Sequence, residues 1–203
     1  MGTWMSELPF RQRLQEEILP IAGRIVAGEG LPALQARRVA AEAGCSVGSL
    51  YNVFGDLHGL IIAVNVETVA ILGEKLNASF ARTRADPIEA RLHDLANSYM
   101  EFALGHLYRW KAIFDHKLPD GRFVPPEYRA DQARLLALIE EIIAGEISDK
   151  ELRVRAGRAL FAAVHGVIAL AVDHKLDTFD RHNVEEEIRF IVKAAANGLK
   201  AAA

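Results

Sequence analysis

The chain has 203 residues, 51% of them apolar, enough to bury a core without covalent staples. Its single cysteine, Cys45, excludes a disulfide framework, a zinc ribbon and a Cys-x-x-Cys redox motif, and fits a reducing compartment. With 24 Lys+Arg against 27 Asp+Glu the net charge is -3. No basic tail advertises nucleic acid or an anionic membrane, so such a partner has to be met by local geometry.

Glu7, Glu16, Glu17 and two prolines interrupt every apolar run before Gly30, so no secretory signal is expected. Met1, Gly2 and Ser6 match the loose pattern for N-terminal myristoylation, read as chance for a non-eukaryotic source. The longest apolar block, 159 to 172, contains His165 and Gly166 and is shorter than the roughly 20 residues that span a bilayer. The expectation is a soluble, cytoplasmic protein that engages no membrane.

No strand-like alternation persists, and 3.6-residue spacing dominates, which predicts an all-α protein of about nine helices. Phe10, Leu14, Ile18, Ile21 and Ile25 give the first helix its apolar stripe. Pro20 predicts a kink or a start near Leu19, and Gly28 to Gly30 the end. A short helix over 35 to 43 is broken by Gly44, and Ser46 is placed to cap another from Val47 to about Val53. Asp56 caps a long helix to about Phe80, and Pro87 opens the next to about Leu104. His106 to His116 form a further helix, 118 to 126 a proline-rich loop, and Pro126 opens a helix to about Ala144.

Two last helices are predicted over about 149 to 174 and from Val184 onward. The first is apolar on nearly every side, with Leu160, Val164 and Ile168 on one line and Ala156, Ala159, Ala163 and Gly166 on another. A helix apolar all round must be covered all round. The second repeats Val184, Ile188, Ile191, Ala195 and Leu199. Packing inside the monomer is one way to cover them; a four-helix homodimer seam built from both is the more economical.

Residues 36 to 53 fit a helix-turn-helix. Val39 and Ala43 face inward, Ala40 is small where two helices would touch, and Gly44 suits a left-handed turn. Cys45, Leu50 and Val53 supply an apolar lock. The stretch from Val39-Ala40 through Ala43-Gly44-Cys45-Ser46 and Gly48-Ser49-Leu50-Tyr51 to Val53-Phe54 resembles the DNA-binding signature of tetracycline-repressor (TetR) family transcriptional regulators. The order of parts agrees along the whole length, although only about 25 residues carry the specific motif. Val164-His165-Gly166 is also similar to the Trp-His-Gly motif of one C-terminal subgroup, with Val in place of Trp.

The resemblance implies a three-helix DNA-binding domain over 1–55 and a helical ligand-binding and dimerisation domain over 56–203. It implies a homodimer through the last two helices whose recognition helices enter successive major grooves of a palindromic double-stranded operator. Val47, Gly48, Ser49 and Asn52 would face the groove and Ser46 and Tyr51 the phosphates. Arg37 would reach a base edge or the backbone, with guanine its natural target. Tyr51 has packing against Phe54 as an equal alternative, and Arg38 is read equally as a solvated charge or a phosphate contact. Three positions depart from the family pattern: Leu57 replaces a lysine, Val53 a Tyr or His, and Gln35 a Thr. Residues 1 to 60 hold five arginines and six acids, so little phosphate neutralisation is available and binding leans on helix-start N–H groups and dimeric avidity.

Tyr99, Phe102, His106, Trp110, Phe114, Phe161 and His165 are candidates to line a cavity for an apolar or aromatic effector, with ordinary core packing as the alternative for each. By analogy with the family, ligand would relieve repression by moving the two heads through the long helix. His106, His116 and His174 with Asp115 and Asp173 lack ligand spacing, so no metal site is expected, and no cofactor. The chain carries no nucleophile elbow, Walker loop or dinucleotide fingerprint, and enzyme activity is not expected. The competing reading is a helical small-molecule sensor or carrier whose head has lost DNA affinity.

Overall fold

In the computed structural model, residues 4–119, 123–173 and 183–202 are described, with side chains from 10 to 199 within those ranges. The Met1-Gly2 pattern, the centre of the proline-rich loop at 120–122 and His174 lie outside the described residues. Those residues form nine α-helices and one 3-10 turn, and no strand. The helices are α1 Trp4–Glu29, α2 Ala36–Glu42, α3 Val47–Phe54, α4 Leu57–Arg82, α5 Ile88–Gly105, α6 Leu107–Asp115, α7 Pro126–Ile143, α8 Lys150–Val172 and α9 Val184–Ala202.

Pro20 neither ends nor starts α1, which is continuous from Trp4. Pro20 is exposed, and so is Glu16, whose carbonyl loses its helical donor and meets solvent instead. The buried face is Leu14, Ile18, Ala22, Ile25 and Val26, so the stripe drifts toward Ala22 and Val26. Phe10, expected in it, is 59% exposed. Gly30, at φ +80, ends the helix as expected.

Two compact units emerge from the packing: residues 1–69 with 106–125, and residues 70–105 with 126–203. In the first, Leu14, Ile18, Ile25, Val39, Leu50, Leu60 and Val64 build the core. Helix α6 packs on α1 within this unit. A Cβ at Gly23 would lie 2.7 Å from the Arg109 guanidinium, so glycine there admits the arginine across α1. Arg109 also donates to Thr68 Oγ1 at 3.4 Å, and Asn65 Nδ2 to the Ala112 carbonyl at 2.9 Å. Asn65 Oδ1 is buried with no hydrogen-bond partner among the described residues.

In the second unit α8 packs on both α7 and α9, and α5 on α7, α8 and α9. Asp149 caps α8, its carboxylate accepting from the Leu152 N–H at 2.8 Å. On α9 the fully buried line is Val184, Ile188, Val192 and Ala196. Ile191, Ala195 and Leu199 are half-buried beside it. The first two predicted residues, Val184 and Ile188, are in the buried line; from there the four-residue steps of the core follow a slowly turning ridge, and the last three predicted residues lie along its edge. Helix α8 buries only Gly157, Val164, Ile168, Ala171 and Val172. By length and composition alone α4 and α8 are each long and apolar enough to cross a membrane, and 39% and 22% of their most apolar windows are buried.

Candidate nucleic-acid interface

The turn between α2 and α3 is fixed by backbone hydrogen bonds. Gly44, at φ +65, donates to the Ala41 carbonyl at 3.3 Å and Cys45 donates to the Ala40 carbonyl at 2.9 Å, the paired bonds of a Schellman ending. Ser46 Oγ accepts from the Ser49 N–H at 3.0 Å and lies 2.9 Å from Ser49 Oγ, closing the first turn of α3. Leu50 and Val53 lock α3 onto the core, with Ala43, Cys45 and Phe54 half-buried against it. Ser46, Gly48, Tyr51 and Asn52 are exposed and Ser49 half-exposed, while Val47, expected to face the groove, is half-buried against the core. A Cβ at Gly48 would meet only Ser46 Oγ at 3.6 Å, so nothing inside the protein requires glycine there.

The far end of α3 is held just as tightly. Arg11 Nη2 donates to the Val53 carbonyl at 2.9 Å, a cation on a helix C-terminus. Gly55 turns the chain at φ +83, and Asp56 Oδ1 accepts from the Gly59 N–H at 2.9 Å as the expected cap of α4. A Cβ at Gly59 would fall 1.9 Å from the Phe54 carbonyl oxygen, so only glycine lets α4 start this close to the end of α3.

Arg37 is exposed and has no hydrogen bond or ion pair with any described residue, whereas Arg38 is surrounded. Arg38 Nη1 and Nη2 donate to the Glu29 carboxylate at 2.9 and 2.6 Å, Arg38 Nε donates to Glu42 at 3.2 Å, and Glu42 also accepts from Arg24. Hydrogen bonds from Arg38 hold the Glu29 carboxyl below its ordinary range, and those from Arg24 and Arg38 do the same to Glu42. Neither Arg11 nor the Glu29 and Glu42 pairing was legible in the sequence. The single hint was the i, i+4 spacing of Arg38 and Glu42.

The candidate effector residues divide between the units. Tyr99, Phe102, Phe161 and His165 lie in the second. There Tyr99 OH and His165 Nδ1 share a hydrogen bond of 2.9 Å, and Phe161 stands edge-on to Tyr99 at 5.7 Å and stacks with His165 at 5.5 Å. Burial holds the His165 imidazole below its ordinary value. Phe102 is buried in α5. In the first unit His106 precedes α6 as its N-cap residue, and Trp110, buried, meets half-exposed Phe114 at 5.4 Å. His58 Nδ1 and His116 Nε2, 3.1 Å apart, were not singled out as a pair from the sequence. An open cleft of about 440 Å³ in the second unit is lined by Pro87, Glu89, Ala90, His93, Arg189 and Val192 and by none of the seven. No group of three or more His, Cys, Asp or Glu among the described residues is arranged to hold a metal.

The sequence family described as tetracyclin repressor-like, C-terminal domain matches residues 92–195, half of the chain. Among solved structures, a protein of unknown function from Rhodococcus sp. RHA1 superposes with TM-score 0.68 at 24% identity, covering 93% of this chain and 94% of that one. A TetR-family transcriptional regulator from Streptomyces coelicolor superposes with TM-score 0.64 at 18% identity over 98% of both chains. The multidrug binding protein EbrR, complexed with imidazole, gives TM-score 0.62 at 22% identity over 89% and 93%. No curated protein matches. At these identities the superpositions speak to the fold, and the family match adds descent: the chain belongs to the tetracycline-repressor family of transcriptional regulators.

Proposed function

We propose that the protein is a homodimeric repressor that grips a palindromic operator with one α3 in each of two successive major grooves and lets go when a small apolar or aromatic molecule binds. The observation that carries the DNA reading is the division of α3. Leu50 and Val53 are spent on the core, while Gly48, Tyr51 and Asn52 are turned outward beside exposed Ser46, whose hydroxyl caps the helix. An exposed glycine inside a helix costs about 1 kcal/mol of helix propensity, and Gly48 repays that only if something approaches the backbone closely. In this reading Val47, Gly48, Ser49 and Asn52 face base edges, Ser46 and Tyr51 face phosphates, and Arg37 reaches a guanine. The domain of residues 1–55 reads DNA, and 56–203 senses ligand and pairs the subunits.

The dimer reading is supported by α8, of whose most apolar window 22% is fully buried by its own chain. Gly166 has nothing within 4 Å of where a Cβ would stand, leaving room for a helix of a second subunit. Phe190, on α9, is 72% exposed. The candidate to meet the effector is the aromatic group of Tyr99, Phe161 and His165 in the second unit. The mechanism uses α4, a single helix that contributes to both units, as the lever between ligand and head. Ligand releases DNA to the extent that it binds the DNA-incompetent arrangement more tightly. A cytoplasmic, non-enzymatic role follows from the family. The test is a gel shift against the palindromic fragment beside the protein's own gene, at two salt concentrations. A specific, salt-dependent complex supports the repressor; no specific complex at either salt overturns it in favour of a helical sensor.

A further inference from the structure

Two neighbouring arginines on α2 stand in opposite situations, and the difference assigns them different work. Both lie on α2, the helix that precedes the recognition helix. Arg37 is exposed with no partner among the described residues. Arg38 is gripped by the carboxylate of Glu29, the last residue of α1, through two parallel bonds of 2.9 and 2.6 Å, and by Glu42 at 3.2 Å. Glu42 in turn holds Arg24 of α1. The cluster of two arginines and two glutamates has no net charge, and it ties α2 to the last turns of α1 at two places.

A guanidinium saturated in this way gains little by moving to a phosphate. It would surrender a bidentate carboxylate contact and leave two carboxylates beside the DNA backbone. Arg11 is likewise committed, its guanidinium on the Val53 carbonyl. We infer that Arg38 is a positioning residue, which with Glu29, Glu42 and Arg24 sets the pitch of α2 and hence of α3, and that Arg37 is the cation of this pair that meets DNA. The inference rests on the proposal that α3 reads an operator.

Counterion release tests whether Arg38 meets a phosphate. Each phosphate neutralised by a side-chain cation adds about 0.9 to the slope of log K against log salt, so a contact repeated in both subunits adds nearly two. The experiment measures operator affinity across salt concentrations for the full-length protein, using a palindromic duplex obtained by in vitro selection and a random-sequence duplex as control. Arg37→Gln removes the guanine contact, so it lowers operator affinity about tenfold or more and leaves affinity for the random duplex nearly unchanged. Arg38→Gln and Arg38→Lys each lower operator affinity about tenfold with the slope unchanged, because lysine keeps the charge but cannot reproduce the fork. Glu29→Gln frees the cation, so it raises affinity for the random duplex and steepens the slope, a gain that misfolding cannot imitate. If Arg38→Lys behaves as wild type while Arg38→Gln loses slope, Arg38 is a phosphate contact and the inference fails. If the wild type selects no duplex at all, the DNA reading itself fails.

Discussion

At single residues, two glycines beside the recognition helix are demanded for different reasons, and the reasons predict different losses. Gly44 has open space where a Cβ would go but sits at φ +65, so Gly44→Ala pays only left-handed strain, about 1–2 kcal/mol. Gly59 has the opposite problem: its added Cβ would lie 1.9 Å from the Phe54 carbonyl oxygen, a backbone atom with no rotamer to escape into. Gly59→Ala has to move α3 or α4 bodily, at the upper end of the roughly 1–3 kcal/mol typical of overpacking. Urea unfolding of both variants checks the order, and operator binding is lost more severely in Gly59→Ala because the shift is delivered to the end of α3. Arg37→Ala makes a separate point, since it is exposed and leaves stability alone. It lowers operator affinity by about 1–3 kcal/mol and relaxes preference at a single base pair, read by titrating operators substituted position by position.

Between elements, the join of α4 and α6 carries a titratable contact, His58 Nδ1 to His116 Nε2 at 3.1 Å. Burial first, then the facing His58, holds His116 below the ordinary histidine value of 6.5, with Asp56 pulling the other way. A histidine depressed in the folded state contributes stability above pH 6.5 that is lost as pH falls from there through the folded value, because the unfolded chain takes up the proton first. His165, depressed by burial, adds a loss of the same sign in the second unit. Melting temperature therefore falls between about pH 7.5 and 5.5, and falls less in His116→Gln, whose amide still donates to His58. Equal falls in the two proteins would remove His116 as a cause. None of this was visible in the chain, because His58 and His116 are 58 positions apart and no local pattern links them. What was visible was periodic or capped. The helices appear where 3.6-residue spacing, Ser46, Asp56 and the glycines put them, and the helix-turn-helix matches its expected register to within a residue. Misreadings arose where a residue's effect depends on what lies beside it. Pro20 is harmless because it faces water, and Phe10 is exposed because the helix stripe turns away from it.

For the whole molecule, the decisive question is what covers α8. A helix of its hydropathy with 22% of its most apolar window buried is unfinished as a monomer surface, and soluble chains rarely leave so long an apolar face to water. Its outward residues Ala159, Ala162 and Ala163 are exposed, and Gly166 is open, so another helix can approach to short range there. Gly166→Leu fills that approach in both subunits at once. Among the described residues nothing outside the helix's own turns lies within 4 Å of the new Cβ, so the expected monomer fold is native. At an overpacking cost of about 1–3 kcal/mol per copy, the dissociation constant rises by between about thirtyfold and four orders of magnitude. Sedimentation at micromolar concentration then shows a monomer with native helical content. Operator affinity collapses along with it, because one head loses the avidity of two. A Gly166→Leu protein that sediments as a dimer places the seam on another face, and one that unfolds shows instead that the space beside Gly166 belongs to the monomer.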